Sequence, residues 1–200
     1  MFYMTPVWTT IFEIIFLKKK HGWQRILSLS LALGGLWIVF GQGGKFPLPE
    51  NAGDWIALLG GIMFAGGMIR LEVIKTDGVF PIIFGFFFYG TLFNIVAGLL
   101  LVDYLGPVPS TDAFVSMTTF LILLSIFYFI PTGIVILWAP TQIGAGICSI
   151  LFLSEIIVGA VSSSILTDEP FGWRQITGCS LIIIGGVVAV VLSPKEDVSK

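Results

Sequence analysis

The chain has 200 residues, 56% of them hydrophobic and only 11% charged, with a net charge of −2. Soluble domains carry about a quarter charged residues, so this surface cannot face water throughout, and the mean hydropathy of +1.00 points to lipid as its solvent. The net charge by itself says nothing about nucleic acid, but the sequence has no basic stripe, so no nucleic-acid partner is expected.

A bilayer core of about 30 Å needs about 20 apolar residues as helix. The chain opens on Met1-Phe2-Tyr3-Met4 and runs directly into apolar sequence, without the leading positive charge of a signal peptide. The first apolar stretch, 2–17, is short and contains Glu13. Six longer stretches follow at 24–41, 54–76, 79–103, 114–138, 141–166 and 173–193. Gly, Pro and acidic residues separate most of them: 41–47, Thr76-Asp77-Gly78, 106–110, 138–142 and 167–170. Turns this short make neighbouring spans antiparallel. The expected fold is an all-α polytopic membrane protein of about seven transmembrane helices, with the lipid bilayer as its first partner.

Charge placement orients these spans. Lys18, Lys19, Lys20 and Arg25 flank the first turn, Arg70 and Lys75 the third, and Lys195 and Lys200 lie in the tail. Only Lys45 and Arg174 fall on the other side, where Glu50, Asp54, Asp103, Asp112, Asp168 and Glu169 also collect. This predicts the N-terminus outside and the C-terminus inside. For a bacterial chain the location is the inner or plasma membrane.

An offset of 150 positions aligns two stretches without a gap. Gly22-Trp23 falls on Gly172-Trp173, Ile26 on Ile176, Ser30-Leu31 on Ser180-Leu181 and Gly35 on Gly185; Phe2 also falls on Phe152 and Ile15 on Ile165. The first Gly-Trp turn is internal by charge and the second external, so the copies are inverted. Inverted repeats about an in-plane pseudo-twofold axis are a transporter design, with the substrate site near the midplane.

An ionisable residue at membrane depth costs about 3 kcal/mol or more and is a functional candidate by default. Glu155 lies mid-span among Phe152, Leu153, Ile156 and Ile157. Such a carboxyl can accept a proton or bind a cationic group during a transport cycle; the alternative is a neutral Glu bonding to a neighbouring helix. Glu13 is about one turn from Lys18, where it can snorkel or pair. Arg70 and Glu72 read as interfacial anchors, because residues two apart on a helix do not face each other. Asn94 lines a cavity or bonds across helices. Tyr128, Trp138 and Gln142 gather near one end of two adjoining helices, with Trp138 read as an interface belt residue. Pro131-Thr132-Gly133 predicts a helix interruption, either lining a site with freed carbonyls or serving as a packing kink. The pairs Gly61/Ala65, Gly144/Cys148 and Gly159/Ser163 are spaced for close helix packing. Cys148 and Cys179 read as small apolar residues and His21, among lysines, as a surface residue; no metal or cofactor is expected.

Taken together, these residues resemble the EamA-like family of the drug/metabolite transporter superfamily. Its members have two five-helix halves, each ending in a helix with a mid-span Pro or Glu-Pro, a short turn with Glu and a Gly-rich last helix. Leu153-Ser154-Glu155, Asp168-Glu169-Pro170 and the run from Gly178 through Gly185-Gly186-Val187 match that ending; Thr5-Pro6 and Gly34-Gly35 resemble the same ending in the first half. Ile156 stands where the family commonly has Pro, and Lys18 to Lys20 where it commonly has Glu. The resemblance implies helices four to ten of ten: residues 1–41 as the end of a first repeat, 54–193 as the second and 194–200 as a cytoplasmic tail, hence an N-terminally truncated chain. It also implies a permease or exporter of small organic metabolites, working by alternating access on an unidentified substrate. A competing reading is a non-transporting fragment or partner subunit, working as a homo-oligomer or with a complementing half. An intramembrane enzyme is disfavoured, since no span contains His, Asp54 and Asp103 stand only at span ends, and Glu155 alone is not a catalytic constellation.

Overall fold

The structure is a computed structural model that describes residues 2–41, 49–74, 78–101, 110–167 and 171–192. Lys45, Lys75, Asp77, Asp103, Asp168, Glu169, Pro170 and the tail 194–200 lie outside them. Every regular element among the described residues is helical: a 3-10 turn Phe2–Met4, α1 Thr5–Phe16, α2 Trp23–Phe40, α3 Ala52–Val73, α4 Phe80–Leu100, α5 Thr111–Leu124, a π turn Ser125–Phe129, α6 Ile130–Ile143, α7 Ala145–Leu151, α8 Ser154–Leu166 and α9 Trp173–Val191. Among the described residues six helices are long and apolar enough to cross a membrane: α2, α3, α4, the continuous run Thr111–Ile143, the pair α7–α8 and α9. The seventh apolar segment, Phe2–Phe16, is shorter.

Local chemistry sets the helix starts. Asn51 caps α3 by accepting from the Asp54 N–H at 2.9 Å, while the Asp54 carboxylate accepts from the Asn51 N–H at 3.3 Å. Ser110 caps α5 through the Ala113 N–H at 3.3 Å. Pro stands in the first turn of α1 and of α4, where its missing N–H costs nothing.

Two of the expected breaks fall elsewhere. The helix runs through Pro131-Thr132-Gly133 without interruption. A π turn comes just before it, with the Ile130 N–H bonded to the carbonyl of Ser125, five residues back. That wider turn absorbs the strain a Pro ring imposes on the preceding turn. Gly133 instead gives Phe87 a flat seat: a Cβ there would stand 2.8 Å from the Phe87 ring. The break expected at 138–142 is delayed to Gly144, because Pro140 is accommodated inside α6. Gly144 adopts φ +82°, a conformation other residues enter only with strain.

The chain forms two compact units, Met1–Ile74 with Pro140–Lys200, and Lys75–Ala139. In the second unit α4 and α5 have no buried residue, and large apolar side chains such as Phe80, Phe93 and Leu100 are more than 70% exposed. A helix that is apolar all round has lipid as its natural surroundings.

The first unit is built around α2 and α9, which run antiparallel. A Cβ on Gly35 would stand 2.5 Å from the Gly178 carbonyl oxygen and 2.8 Å from Ile182, and one on Gly185 would stand 2.9 Å from the Ser28 carbonyl oxygen and from the Ala32 N. The Ser28 hydroxyl donates to the Gly185 carbonyl at 2.7 Å. Small residues at these positions let the two backbones approach, which is how helices gain packing in lipid. Arg174, at the start of α9, donates to the carbonyls of Ile38 and Gly41 at the end of α2. A cation there satisfies orphan carbonyls and complements the helix dipole. Gly61 and Ala65 of α3 are buried, as their spacing predicts, with Gly61 against Phe2 and Thr5. Gly159 differs: a Cβ there would meet nothing within 4 Å.

Candidate functional site

The buried face of α1 is polar. Thr5, Thr9 and Glu13 lie four apart on one helix stripe and are 5%, 0% and 3% exposed. Each threonine hydroxyl is satisfied within the local chain, Thr5 on the Phe2 carbonyl at 2.6 Å and Thr9 on the Thr5 carbonyl at 2.9 Å. A carboxylate has no such local option and draws partners from elsewhere.

Those partners converge on Glu13 from three segments. Arg25, in the first turn of α2, places Nη2 3.3 Å from Glu13 Oε2. In the turn between α1 and α2, Lys19 Nζ lies 3.5 Å from Oε1 and His21 Nε2 lies 3.4 Å from Oε2. The Gly146 N–H of α7 donates to Oε1 at 3.1 Å. Arg25 Nη2 also reaches the Thr10 hydroxyl at 3.4 Å. Glu72, near the end of α3, forms a second node: Lys19 Nζ is 2.6 Å from its Oε1, and the Ala145 N–H donates to its Oε2 at 2.8 Å. Lys19 therefore bridges the two carboxylates.

The backbone supports this arrangement. Lys18 takes a left-handed conformation, φ 52°, which reverses the chain after α1. The Glu13 carbonyl accepts the Leu17 and Lys19 N–H groups at 3.1 and 3.2 Å. Lys18 and Lys20 then point outward and Lys19 inward. On the opposite side, a Cβ on Gly146 would overlap the Arg25 guanidinium and the Glu13 carboxylate. Only glycine leaves room for the pair.

Of the residues singled out in the sequence, Glu13 is the one at the centre of a polar cluster. Glu155 sits at the start of α8 and is exposed; Tyr3 lies within its electrostatic reach. The backbone beside it is discontinuous. The N–H groups of Leu153, Glu155 and Ile156 bond three residues back, to Ile150, Phe152 and Leu153, each at 3.1 Å, so α7 and α8 meet at a tight non-α turn. Gln142 is exposed and donates to the Thr141 hydroxyl at 3.0 Å. In the second unit, Asn94 is exposed and donates to the Gly90 carbonyl of its own helix at 2.8 Å. Tyr128 lies in the π turn, 57% exposed, with its ring edge-on to Phe129. Among the described residues no group of His, Cys, Asp and Glu is placed to hold a metal.

Sequence reasoning took Glu72 as an interfacial anchor and His21 as a surface residue. The structure turns both inward, because Glu72 caps the N–H of Ala145 and Lys19 draws it in. A signal that could have found the cluster is the stripe Thr5-Thr9-Glu13, an i, i+4, i+8 polar line in an otherwise apolar helix. The chain matches no family model, no curated protein and no solved structure.

Proposed function

We propose that the protein is a multi-pass membrane permease that moves small organic metabolites by alternating access, and that it resembles helices four to ten of the EamA-like design. The reciprocal packing of α2 and α9 carries this reading. Under the 150-position offset Ser28 corresponds to Gly178, Ala32 to Ile182 and Gly35 to Gly185. Gly35 meets Gly178, and Ser28 meets Gly185; Gly35 meets Ile182, and Ala32 meets Gly185. Each contact is the counterpart of the other when the two helices are exchanged, which is compatible with reading them as antiparallel copies.

The apolar second unit suits a lipid setting, and the carboxyl of Glu155 beside a broken helix suits a site where backbone and side chain together meet solute. The proposed orientation has the Lys18–Lys20 turn and the C-terminus inside. The test is a comparison of small organic solutes in cells and medium, by mass spectrometry, for cells expressing the protein, its Glu155→Gln variant, or neither. At least one solute class redistributes with the wild type and not with the variant. Identical solute profiles, with both proteins present in the membrane, contradict the proposal.

A further inference from the structure

The start of α7 lacks a local cap. Its flanking residue is Gly144, which has no side chain to satisfy the first N–H groups of the helix. Two carboxylates from distant segments do so instead: Glu72 takes the Ala145 N–H and Glu13 the Gly146 N–H. Lys19 ties these carboxylates together, and Arg25 and His21 hold Glu13. One ionic network thus ties the start of α7 to α1 and α3, while further along α7 Ile150 packs in the apolar cluster with Ala32 and Ile182. Both ends of α7 are also articulated, at Gly144 with φ +82° and at the non-α turn through Phe152 and Leu153. The second of these joints adjoins Glu155.

We propose that the Glu13–Lys19–Glu72 network is a latch that holds α7 closed against α1 and α3, and that α7 pivots on its two joints when the latch opens. This rests on the permease reading, in which release of α7 changes access to Glu155. A buried ionic network suits such a switch because its partners can exchange for water once it is exposed. Breaking it frees two N–H groups and two carboxylates together, so opening is concerted.

The chain carries its own probes. Cys148 lies on α7, 1% exposed, within electrostatic reach of both Glu13 and Glu72. Cys179 lies on α9, 5% exposed, next to the contact between Gly178 and Gly35. In native membranes, the rate of N-ethylmaleimide labelling is measured at Cys148 in a Cys179→Ser background and at Cys179 in a Cys148→Ser background. Labelling of a buried thiol follows the population of the open form. Lys19→Met and the milder Glu72→Gln are expected to raise the Cys148 rate about tenfold while leaving Cys179 within about twofold, and Lys19→Arg to keep both slow. No rise at Cys148 in either variant overturns the latch. So does an equal rise at both cysteines in both variants, which would mark the network as a structural strut. Labelling reads motion and not flux, so a failed latch shows here while a failed permease reading shows only in the solute profiles.

Discussion

Ser28 of α2 donates its hydroxyl to the backbone carbonyl of Gly185 of α9, 157 residues away in sequence, at 2.7 Å. A serine hydroxyl in a helix ordinarily bonds to its own preceding turn. Reaching another helix's backbone requires that helix to be very close, and the glycines at 35, 178 and 185 provide the approach.

Substituting those glycines therefore costs stability in proportion to the space they leave. Gly35→Ala puts a Cβ 2.5 Å from the Gly178 carbonyl oxygen, and overpacking of this kind costs about 1–3 kcal/mol. Gly34→Ala meets nothing within 4 Å and is expected to stay within about 0.5 kcal/mol of wild type. Thermal unfolding of purified protein in detergent, read side by side, checks the contrast. Equal melting temperatures for the two variants would show that α2 and α9 do not pack this way.

Removing the carboxylate of Glu13 leaves Arg25 buried without its main counter-charge. Breaking a buried ion pair from one side costs about 3–5 kcal/mol, so Glu13→Ala is expected to be among the most destabilising single changes in the chain. Gly146→Ala is expected to resemble it, since the added methyl overlaps the same pair. A double-mutant cycle between Glu13→Gln and Lys19→Met should return a coupling of about 0.5–3 kcal/mol. Additive effects would mean that the two side chains do not share a network.

The orientation can be read from thiol accessibility. With both native cysteines replaced by serine, single cysteines at Lys20 and Gly78 are expected to label only from the inside, and those at Asn51, Ser110 and Arg174 only from the outside, with a membrane-impermeant maleimide on intact cells. Labelling of Lys20→Cys and Arg174→Cys from the same side would remove the inverted relation between the two Gly-Trp turns.

Arg174 anchors the end of α2 through the Ile38 and Gly41 carbonyls. Its replacement by Met is expected to raise hydrogen exchange at Val39 through Gly41 while leaving the Ala32 region protected. Unchanged exchange at the helix end would show that the last turn holds without the guanidinium.

The apolar stretches were legible because lipid imposes a length and a polarity that composition reports directly. Their ends at Phe40, Val73 and Leu100 fall within a few residues of the sequence reading, since Gly, Pro and charged residues punctuate them. The break expected at 138–142 and the interruption expected at Pro131 were misplaced because Pro140 and Pro131 read as helix breakers. A π turn accommodates Pro131, and Gly144, whose φ sequence does not display, takes over the role expected near Pro140. The cluster was only half visible. Glu13 stands out in an apolar helix, but its partner Gly146 and the second carboxylate Glu72, joined to it through Lys19, are 133 and 59 positions away, and no local pattern links them. The triple lysine reads as one inside-facing charge patch, yet the left-handed Lys18 turns Lys19 alone toward the interior.

The most direct test of the central claim uses purified protein in proteoliposomes loaded with a defined mixture of small organic metabolites, with efflux followed by mass spectrometry. The account predicts selective loss of one solute class, faster than from protein-free liposomes and abolished by Glu155→Gln. Retention of every solute at the protein-free rate, with the protein correctly inserted, would contradict it.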